Sequence, residues 1–201
     1  MTPWMNEGFF SDAVVLVEGE DDRAALLGAA ASMGHDWESV GISVIPCMGK
    51  NNIDRPAAIF SLLGIPVYCV WDNDHGKQGA KPDANRALMR LMGRPPEDWP
   101  CCCEPTFAVL EGNLEKTLAA ELGQAYQELL GTCTTEYCFD RPDRAIKNPV
   151  VMGRIVSECR GRNVTSATLQ GVVGRVAVLR NIGPPPGAIA AEVAVTAEGM
   201  P

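Results

Sequence analysis

The chain has 201 residues, with 17 Lys and Arg against 25 Asp and Glu, and a formal net charge of −8. Hydrophobic residues make up 46% and charged residues 21% of the sequence, which excludes a wholly disordered chain. The acidic balance also excludes a protein that coats nucleic acid by bulk positive charge, although it leaves open one that meets phosphate through bound metal ions.

The first half of the chain alternates short apolar runs with helix-like segments. The apolar runs that predict strands are 13–17, 42–46, 65–71 and 106–110. The segments that predict helices are an Ala- and Leu-rich stretch up to Met33, then 53–63 and 83–92. Continuous apolar runs are typical of strands buried on both faces. The alternation therefore predicts an α/β, Rossmann-like fold with a mainly parallel sheet and helices on both faces.

The character of the sequence changes after residue 112. Three amphipathic segments follow, which predict helices over 114–130, 149–159 and 166–179. We therefore expect an α/β domain over 13–112, a helical extension over 113–182, and a disordered Pro-, Ala- and Glu-containing tail over 183–201. The N-terminal residues lack the features of a signal peptide, and no apolar run is long enough for a membrane span, so we expect a cytoplasmic protein.

Four carboxylates follow the predicted strands. Glu18 ends the first strand, and Asp22 lies one helical turn further on. Asp72 ends the third strand, and Asp74 follows two residues later. Ligands of open parallel sheets bind at the carboxyl ends of the strands, and hard cations prefer oxygen ligands. Each acidic residue alone fits a helix N-terminus or a solvated turn, but the four together predict a Mg²⁺ or Mn²⁺ site.

At these residues the chain resembles a known family. VVLVEGEDDR (14–23) resembles the glutamate motif of TOPRIM domains, and VYCVWDNDHG (67–76) resembles their DxD motif. GISVIPCMGKNNI (41–53) is similar to the segment between these motifs in the OLD family (overcoming lysogenization defect) of ATP-dependent endonucleases. The resemblance covers about residues 13–110. It implies a TOPRIM fold and a metal-dependent DNA endonuclease or nickase.

The resemblance also implies roles for individual residues. The positions that it matches are Glu18, Asp22, Asp72, Asp74, Glu115 and Lys147. The five carboxylates would hold metal, while Glu18, Asp72, Asp74 and Lys147 would be catalytic. Glu111 is a rival for Glu115, and Lys147 can also be a solvated lysine before a helix. The implied chemistry is two-metal phosphodiester hydrolysis, in which the lysine offsets charge that develops on the phosphate.

Basic residues around the predicted site are candidates for phosphate contacts. They are Lys50, Arg55, Lys77, Lys81 and Arg86. His75 follows the DxD motif, where it could touch metal or water, although an exposed loop position is the simpler interpretation. The eight cysteines form no CxxC pair. We expect reduced thiols, with a zinc site at Cys133 and Cys138 as the alternative.

The chain departs from the OLD pattern because it contains no GxxxxGK[ST] loop. Gly49-Lys50-Asn51 lacks the glycine spacing and the hydroxyl residue of that loop. We therefore expect no ATP hydrolysis by this chain. The resemblance implies DNA as a partner, a separate ABC-type ATPase, a possible homodimer, and a role in phage defence or DNA repair.

Three alternatives to the endonuclease stay open. A primase-like nucleotidyl transferase would use the same catalytic edge, and a topoisomerase would need a tyrosine nucleophile from Tyr68, Tyr126 or Tyr137. The non-enzymatic alternative is a TOPRIM module that binds metal or nucleic acid without cleavage.

Overall fold

The computed structural model describes residues 3–179, and its strands form one sheet. The strands are β1 (Ala13–Val17), β2 (Ile42–Pro46), β3 (Val67–Asp72), β4 (Cys102–Cys103) and β5 (Phe107–Leu110). Their order across the sheet is β2-β1-β3-β5-β4. β1 pairs parallel with β2 and β3, β3 pairs parallel with β5, and β4 pairs antiparallel with β5. The predicted mainly parallel α/β fold is confirmed.

The helices lie on both faces of this sheet. They are α1 (Pro3–Gly8), α2 (Glu20–Ser32), α3 (Asp54–Leu62), α4 (Asp83–Leu91), α5 (Leu114–Glu136), α6 (Pro142–Ala145), α7 (Pro149–Gly161) and α8 (Ala167–Ala177). A short 3-10 helix, Lys50–Asn52, precedes α3. Alternate residues of β1 show the division, since Val15 packs with α2, α5, α7 and α8, whereas Val14 packs with α3 and α4. This alternation follows from the twofold period of a strand.

Four elements differ from the sequence-based prediction. Helices α1 and α6 were not expected, because their few residues carry no clear helical periodicity. Strand β4 was also missed, since it has only two residues and lies at the sheet edge. Helix α5 extends beyond the predicted end at residue 130, with a non-helical residue at Gly123 (φ 56°) inside it. The core strands and helices otherwise lie within a few residues of their predicted positions.

The helical extension packs directly onto the sheet domain. Residues of α5, α7 and α8 share one apolar core with α2 and one face of the sheet. The closest approach joins α2 to α7 at two glycines: a Cβ added to Gly28 would lie 3.1 Å from the carbonyl oxygen of Gly153. This packing brings the start of α7 next to the start of α2, where Asp22 lies.

Two further expectations concern the C-terminal tail and membrane-spanning helices. The predicted tail over 183–201 lies outside the described residues. Among residues 3–179, no helix has both the length and the apolar character needed to cross a membrane.

Candidate metal centre

A cleft of about 490 Å³ opens at the carboxyl ends of β1 and β3. Its lining includes six charged residues that belong to the two sequence motifs or lie beside them in the chain. These are Glu18, Asp21, Asp22, Asp72, Asp74 and Lys77, and Lys147 of the helical extension also lines the cleft. The parallel pairing of β1 with β3 explains the convergence, because it aligns the ends of both strands at one edge. The structure therefore brings the two sequence motifs together.

Glu18 and Asp22 are held by backbone hydrogen bonds around Gly19. The Asp72 backbone N–H donates to Glu18 Oε1 at 2.8 Å, which ties the ends of β1 and β3 together. The Gly19 N–H donates to Asp22 Oδ2 at 2.8 Å, as in a capping box at the start of α2. Each carboxylate thus keeps a second oxygen for another ligand.

Asp74 adopts a backbone conformation that differs from that of Asp72. Asp72 is the last residue of β3, whereas Asp74 has a φ of 58°, in the left-handed region. Asp is among the non-glycine residues that tolerate this conformation best. The Asp74 N–H donates to the Gly112 carbonyl at 3.0 Å, so the loop after β3 is anchored to the loop after β5.

Asn73, between the two aspartates, is a residue that sequence reasoning missed. Its side chain is 1% exposed. Asn73 Oδ1 accepts hydrogen bonds from the His75 and Gly112 N–H groups, both at 2.8 Å, and Nδ2 donates to the Pro100 carbonyl at 2.9 Å. Asn85, also buried, donates to the Asn73 carbonyl at 2.9 Å. The sequence signal for Asn73 was its position as a polar residue between two aspartates. Its hydrogen bonds fix the geometry of the DxD motif.

Lys50 lies inside the site, although the sequence predicted a phosphate contact. Its side chain is 8% exposed, and Nζ donates to Asp74 Oδ2 at 2.6 Å and to the Asp72 carbonyl at 2.7 Å. Lys77 donates to the other oxygen of Asp74, Oδ1, at 3.0 Å, from a side chain that is 70% exposed. Asp74 therefore has a cationic partner on each carboxylate oxygen.

Glu115 and Lys147 come from the helical extension and meet at the cleft. Asn113 caps α5 by accepting from the Lys116 N–H at 2.9 Å, and this places Glu115 in the first turn. Lys147 Nζ forms an ion pair with Glu115 Oε1 and donates to Asp21 Oδ2 at 3.0 Å. Both carboxylate oxygens of Glu115 are buried, and Oε2 has no partner within the described chain. Asp21 is a residue that the sequence analysis did not assign to the site.

The carboxylates of the cleft differ in pKa. Burial, followed by repulsion from Asp22 and Glu18, raises the pKa of Asp72 to about 9. Burial, followed by repulsion from Asp21, raises the pKa of Asp22 to about 7, and burial also raises the pKa of Glu18. Burial would likewise raise the pKa of Asp74, but its hydrogen bonds from Lys50 and Lys77 outweigh this and lower it. Lys50 and Lys77 act on Glu18, and Lys147 acts on Asp22, only at longer range, because no ion pair within the described residues includes Glu18, Asp22 or Asp72.

This chemistry fits a hard divalent cation. The carboxylates of Glu18, Asp22 and Asp72 are mostly buried and repel one another, and a bound ion removes both penalties. The buried Oε2 of Glu115 adds a further candidate ligand. Within residues 3–179, no group of three or more His, Cys, Asp or Glu side chains is already arranged as a metal-binding cluster. Side-chain rotations would therefore have to accompany binding.

Four other predicted residues lie outside the cleft lining. Lys81 is exposed, and Arg86 Nε donates to Asp98 Oδ1 at 2.6 Å. His75 is exposed, with its ring centroid 5.4 Å from that of Trp99. Glu111, the rival of Glu115, lines a separate cavity of about 630 Å³ together with His75.

The cysteines are free thiols throughout the described residues. They are Cys47, Cys69, Cys101, Cys102, Cys103, Cys133, Cys138 and Cys159. Cys133 is buried while Cys138 is exposed, and the described chain shows no metal cluster that contains either.

Comparison with protein-family models gives a match for the first part of the sheet domain. Residues 9–74 match the family model described as "Overcoming lysogenization defect protein-like, TOPRIM domain". A search of curated protein sequences gives no match.

Two solved structures show the same fold over nearly the whole chain. The C-terminal region of the OLD protein of Xanthomonas campestris pv. campestris is 18% identical, with a TM-score of 0.56; the match covers 92% of this chain and 99% of that one. The C-terminal region of the Burkholderia pseudomallei OLD protein is 20% identical, also with a TM-score of 0.56, and the match covers 86% of this chain and 100% of that one. The match includes the helical extension as well as the sheet.

Proposed function

We propose that this chain, which carries a TOPRIM domain of the OLD-like family, is a divalent-metal-dependent endonuclease or nickase that acts on DNA. The observation that carries the proposal is the convergence of Glu18, Asp22 and Asp72 at one sheet edge, in a cleft that Lys147 also lines. A carboxylate cluster that raises its own pKa values is costly to keep. Bound Mg²⁺ or Mn²⁺ would offset this cost by neutralising the carboxylates, and it would let the acidic cleft bind phosphate.

The residues of the cleft divide into ligands and charge-stabilising groups. Glu18, Asp22 and Asp72 would hold a divalent ion, and Asp74 and Glu115 are the carboxylates that a second ion would need as ligands. When bound, such ions activate water and stabilise the leaving oxygen of a phosphodiester. The protein fixes the ligands beforehand, since Glu18 and Asp22 each accept a backbone hydrogen bond.

Lys147 is suited to contact the phosphate itself. Its side chain is 61% exposed, and its present partners are the carboxylates of Asp21 and Glu115. If Glu115 turns to a bound ion, the Lys147 ammonium is released towards the cleft, where it would offset charge that develops on the phosphate. Exposed Lys77 and Lys81 would position the strand through its backbone.

A second candidate is a TOPRIM module that binds metal or nucleic acid without cleavage. The specific observation that favours it is the engagement of Asp74, which has a lysine on each carboxylate oxygen. In such a module the cleft would hold an ion or a phosphate group, but the DxD motif would not supply both of its carboxylates.

Cleavage of purified DNA distinguishes the two candidates. Supercoiled and linear DNA would be incubated with the protein in Mg²⁺ or Mn²⁺, alongside Asp72→Asn and a control, Asp143→Asn, on the exposed surface of the extension. Loss of several kcal/mol of transition-state stabilisation would reduce cleavage by Asp72→Asn on the order of 10³-fold, whereas the control would cleave normally. Equal residual cleavage by all three proteins would identify contamination. Thermal stabilisation by metal without any cleavage would favour the binding module.

The cellular setting belongs to the same proposal. The resemblance to ATP-dependent endonucleases supports a separate ABC-type ATPase as partner, and phage defence or DNA repair as the pathway. Co-purification of the chain with an ATPase from its native cells would identify such a partner. An unrelated TOPRIM protein, purified in the same way as a control, should not retain this ATPase.

A further inference from the structure

We infer that the Lys50 ammonium takes the place of the second divalent ion, so that the cleft binds one ion, at Glu18, Asp22 and Asp72, while Asp74 is the counter-ion of Lys50. The inference rests on the proposed metal-dependent function and specifies how many ions that function uses. It changes the role of the DxD motif, in which Asp72 becomes the metal ligand and Asp74 the partner of a lysine.

The position of Lys50 is the first observation. Its ammonium lies 2.6 Å from Asp74 Oδ2 and 2.7 Å from the Asp72 carbonyl oxygen, so it sits between oxygens of both halves of the motif. A metal ligated by Asp74 would compete with this ammonium for the same carboxylate oxygen. Because the lysine is covalently attached, its charge is present at every metal concentration.

The loop that carries Lys50 is held in place, which is the second observation. Gly49 has a φ of 118° and donates its N–H to the Glu18 carbonyl at 2.8 Å. Asn52 Nδ2 donates to the Met48 carbonyl at 2.9 Å. A residue with a side chain would be strained at such a φ. Glycine at this position therefore allows the loop to direct Lys50 inward. With its side chain 8% exposed, Lys50 cannot turn to solvent unless the loop moves.

The remaining lysines of the cleft provide the contrast. The side chains of Lys77 and Lys147 are 70% and 61% exposed, so each can leave its carboxylate partner when an ion or a phosphate arrives. Exposed ion pairs contribute little and exchange readily with water. Lys50 is the buried lysine among the three, and its ion pair with Asp74 is the one that resists displacement.

The other side of the cleft is open to an ion. Glu18 Oε2, Asp22 Oδ1 and both carboxylate oxygens of Asp72 accept no hydrogen bond from any described residue. None of these three side chains forms an ion pair within residues 3–179. Three carboxylates without an ion pair, beside one that has two, point to one bound divalent ion and one fixed organic cation.

The number of bound Mn²⁺ ions tests this inference without any activity measurement. Isothermal titration and electron paramagnetic resonance would be applied to the wild-type protein, Lys50→Met and Lys77→Met. We expect one ion in the wild type, with the resolved hyperfine spectrum of isolated Mn²⁺. Lys50→Met frees Asp74 Oδ2, the oxygen without an exposed lysine partner, and should bind two ions with an exchange-coupled spectrum, while Lys77→Met, the matched control at the same carboxylate, should still bind one.

Three results would overturn the inference, and they differ in what they imply. Two ions in the wild type would remove the role of Lys50 but leave the metal-dependent function intact. No ion in the wild type would remove both. One ion in a Lys50→Met protein that retains its circular dichroism spectrum would show that Asp74 is not a ligand even when it is free. If Lys50→Met does not fold, the wild-type stoichiometry alone decides the question.

Discussion

The two sides of the acidic cleft contain the same kind of residue but obtain their positive charge differently. On one side, Asp74 is neutralised by Lys50 and Lys77 and has a lowered pKa. On the other side, Asp22 and Asp72 have no cationic contact among residues 3–179, and their pKa values are raised to about 7 and about 9. The difference shows that an acidic motif does not by itself specify metal ligands. The surrounding lysines determine which carboxylates require an external cation.

The strongest test of this comparison is the pH dependence of stability without metal. Because the pKa values of Asp22 and Asp72 are raised on folding, their protonated forms favour the folded state, and this stability is lost as the pH rises from about 4 through about 9. A shift of the size found for Asp22, from 3.8 to about 7, corresponds to about 4 kcal/mol. Urea unfolding in a chelating buffer, from about pH 5 to about pH 9, would measure it.

The same titration has an internal control in Mg²⁺. The ion replaces the missing positive charge, so the stability of the wild type should depend less on pH when Mg²⁺ is present. Asp72→Asn should flatten the metal-free profile. A metal-free protein that becomes steadily more stable towards alkaline pH would contradict the charge difference between the two sides.

Asp74→Asn should break the comparison from the neutralised side. Asn accepts the left-handed conformation of Asp74 and has nearly the same shape, but it leaves the buried ammonium of Lys50 without a counter-charge. We expect the metal-free protein to lose about 3 kcal/mol of unfolding free energy. Chemical denaturation in chelating buffer would measure this, with Asp72→Asn as the matched variant.

The matched variant should behave in the opposite way. Asp72→Asn replaces a buried carboxyl whose raised pKa makes its charged form costly, so the metal-free protein should be as stable as the wild type or more stable. If Asp72→Asn and Asp74→Asn were equally destabilising, the two aspartates would be equivalent and the distinction between them would be lost.

Lys147→Met sharpens the comparison, because Lys147 is an exposed cation of the cleft. Loss of one charge that faces the phosphate should reduce DNA cleavage by about 10- to 100-fold, with little change in the unfolding free energy. Cleavage assays at saturating Mg²⁺ would be compared with those of Lys116→Met, a substitution outside the cleft that should keep wild-type rates. A Lys147→Met protein with the wild-type rate would assign this residue to the solvated surface.

Lys81→Ala should have the smallest effect. Lys81 is exposed, and a phosphate contact there would weaken DNA binding by a few fold and reduce the salt slope by about 1. Fluorescence anisotropy over a series of salt concentrations would measure both quantities. Arg86→Ala should change them less, because Asp98 already holds the Arg86 guanidinium. A larger effect on DNA binding for Arg86→Ala than for Lys81→Ala would mean that the DNA contacts Arg86 after displacing Asp98.

Much of the fold could be predicted from the sequence, because continuous apolar runs specify buried parallel strands. Glu18 and Asp72 follow directly from those runs, since strand ends define the edge of the sheet. Strand β4 could not be predicted, because two cysteines carry no period. The approach of Lys147 to the cleft depends on the packing of α7 against α2, so it came from resemblance alone.

The role of Lys50 is where sequence reasoning was weakest. A lysine near a proposed DNA site is ordinarily exposed, and composition cannot show that its ammonium turns inward. The available signal was its position, after a glycine that follows the second strand, at the same edge as the carboxylates. Asn73 is similar, since only the structure shows that its amide joins the loops after β3 and β5.

The two glycines at the contact of α2 with α7 give the cleft an adjustable width far from its chemistry. A methyl group at Gly28 would meet the Gly153 carbonyl oxygen at 3.1 Å and Ser157 Oγ at 3.3 Å, so alanine there requires the facing atoms of α7 to shift slightly. Asp22 and Lys147 lie at the starts of these same helices. Substitutions at this buried contact would therefore alter the distance between Asp22 and Lys147. They would change the size of the group that the cleft accepts without altering any candidate ligand.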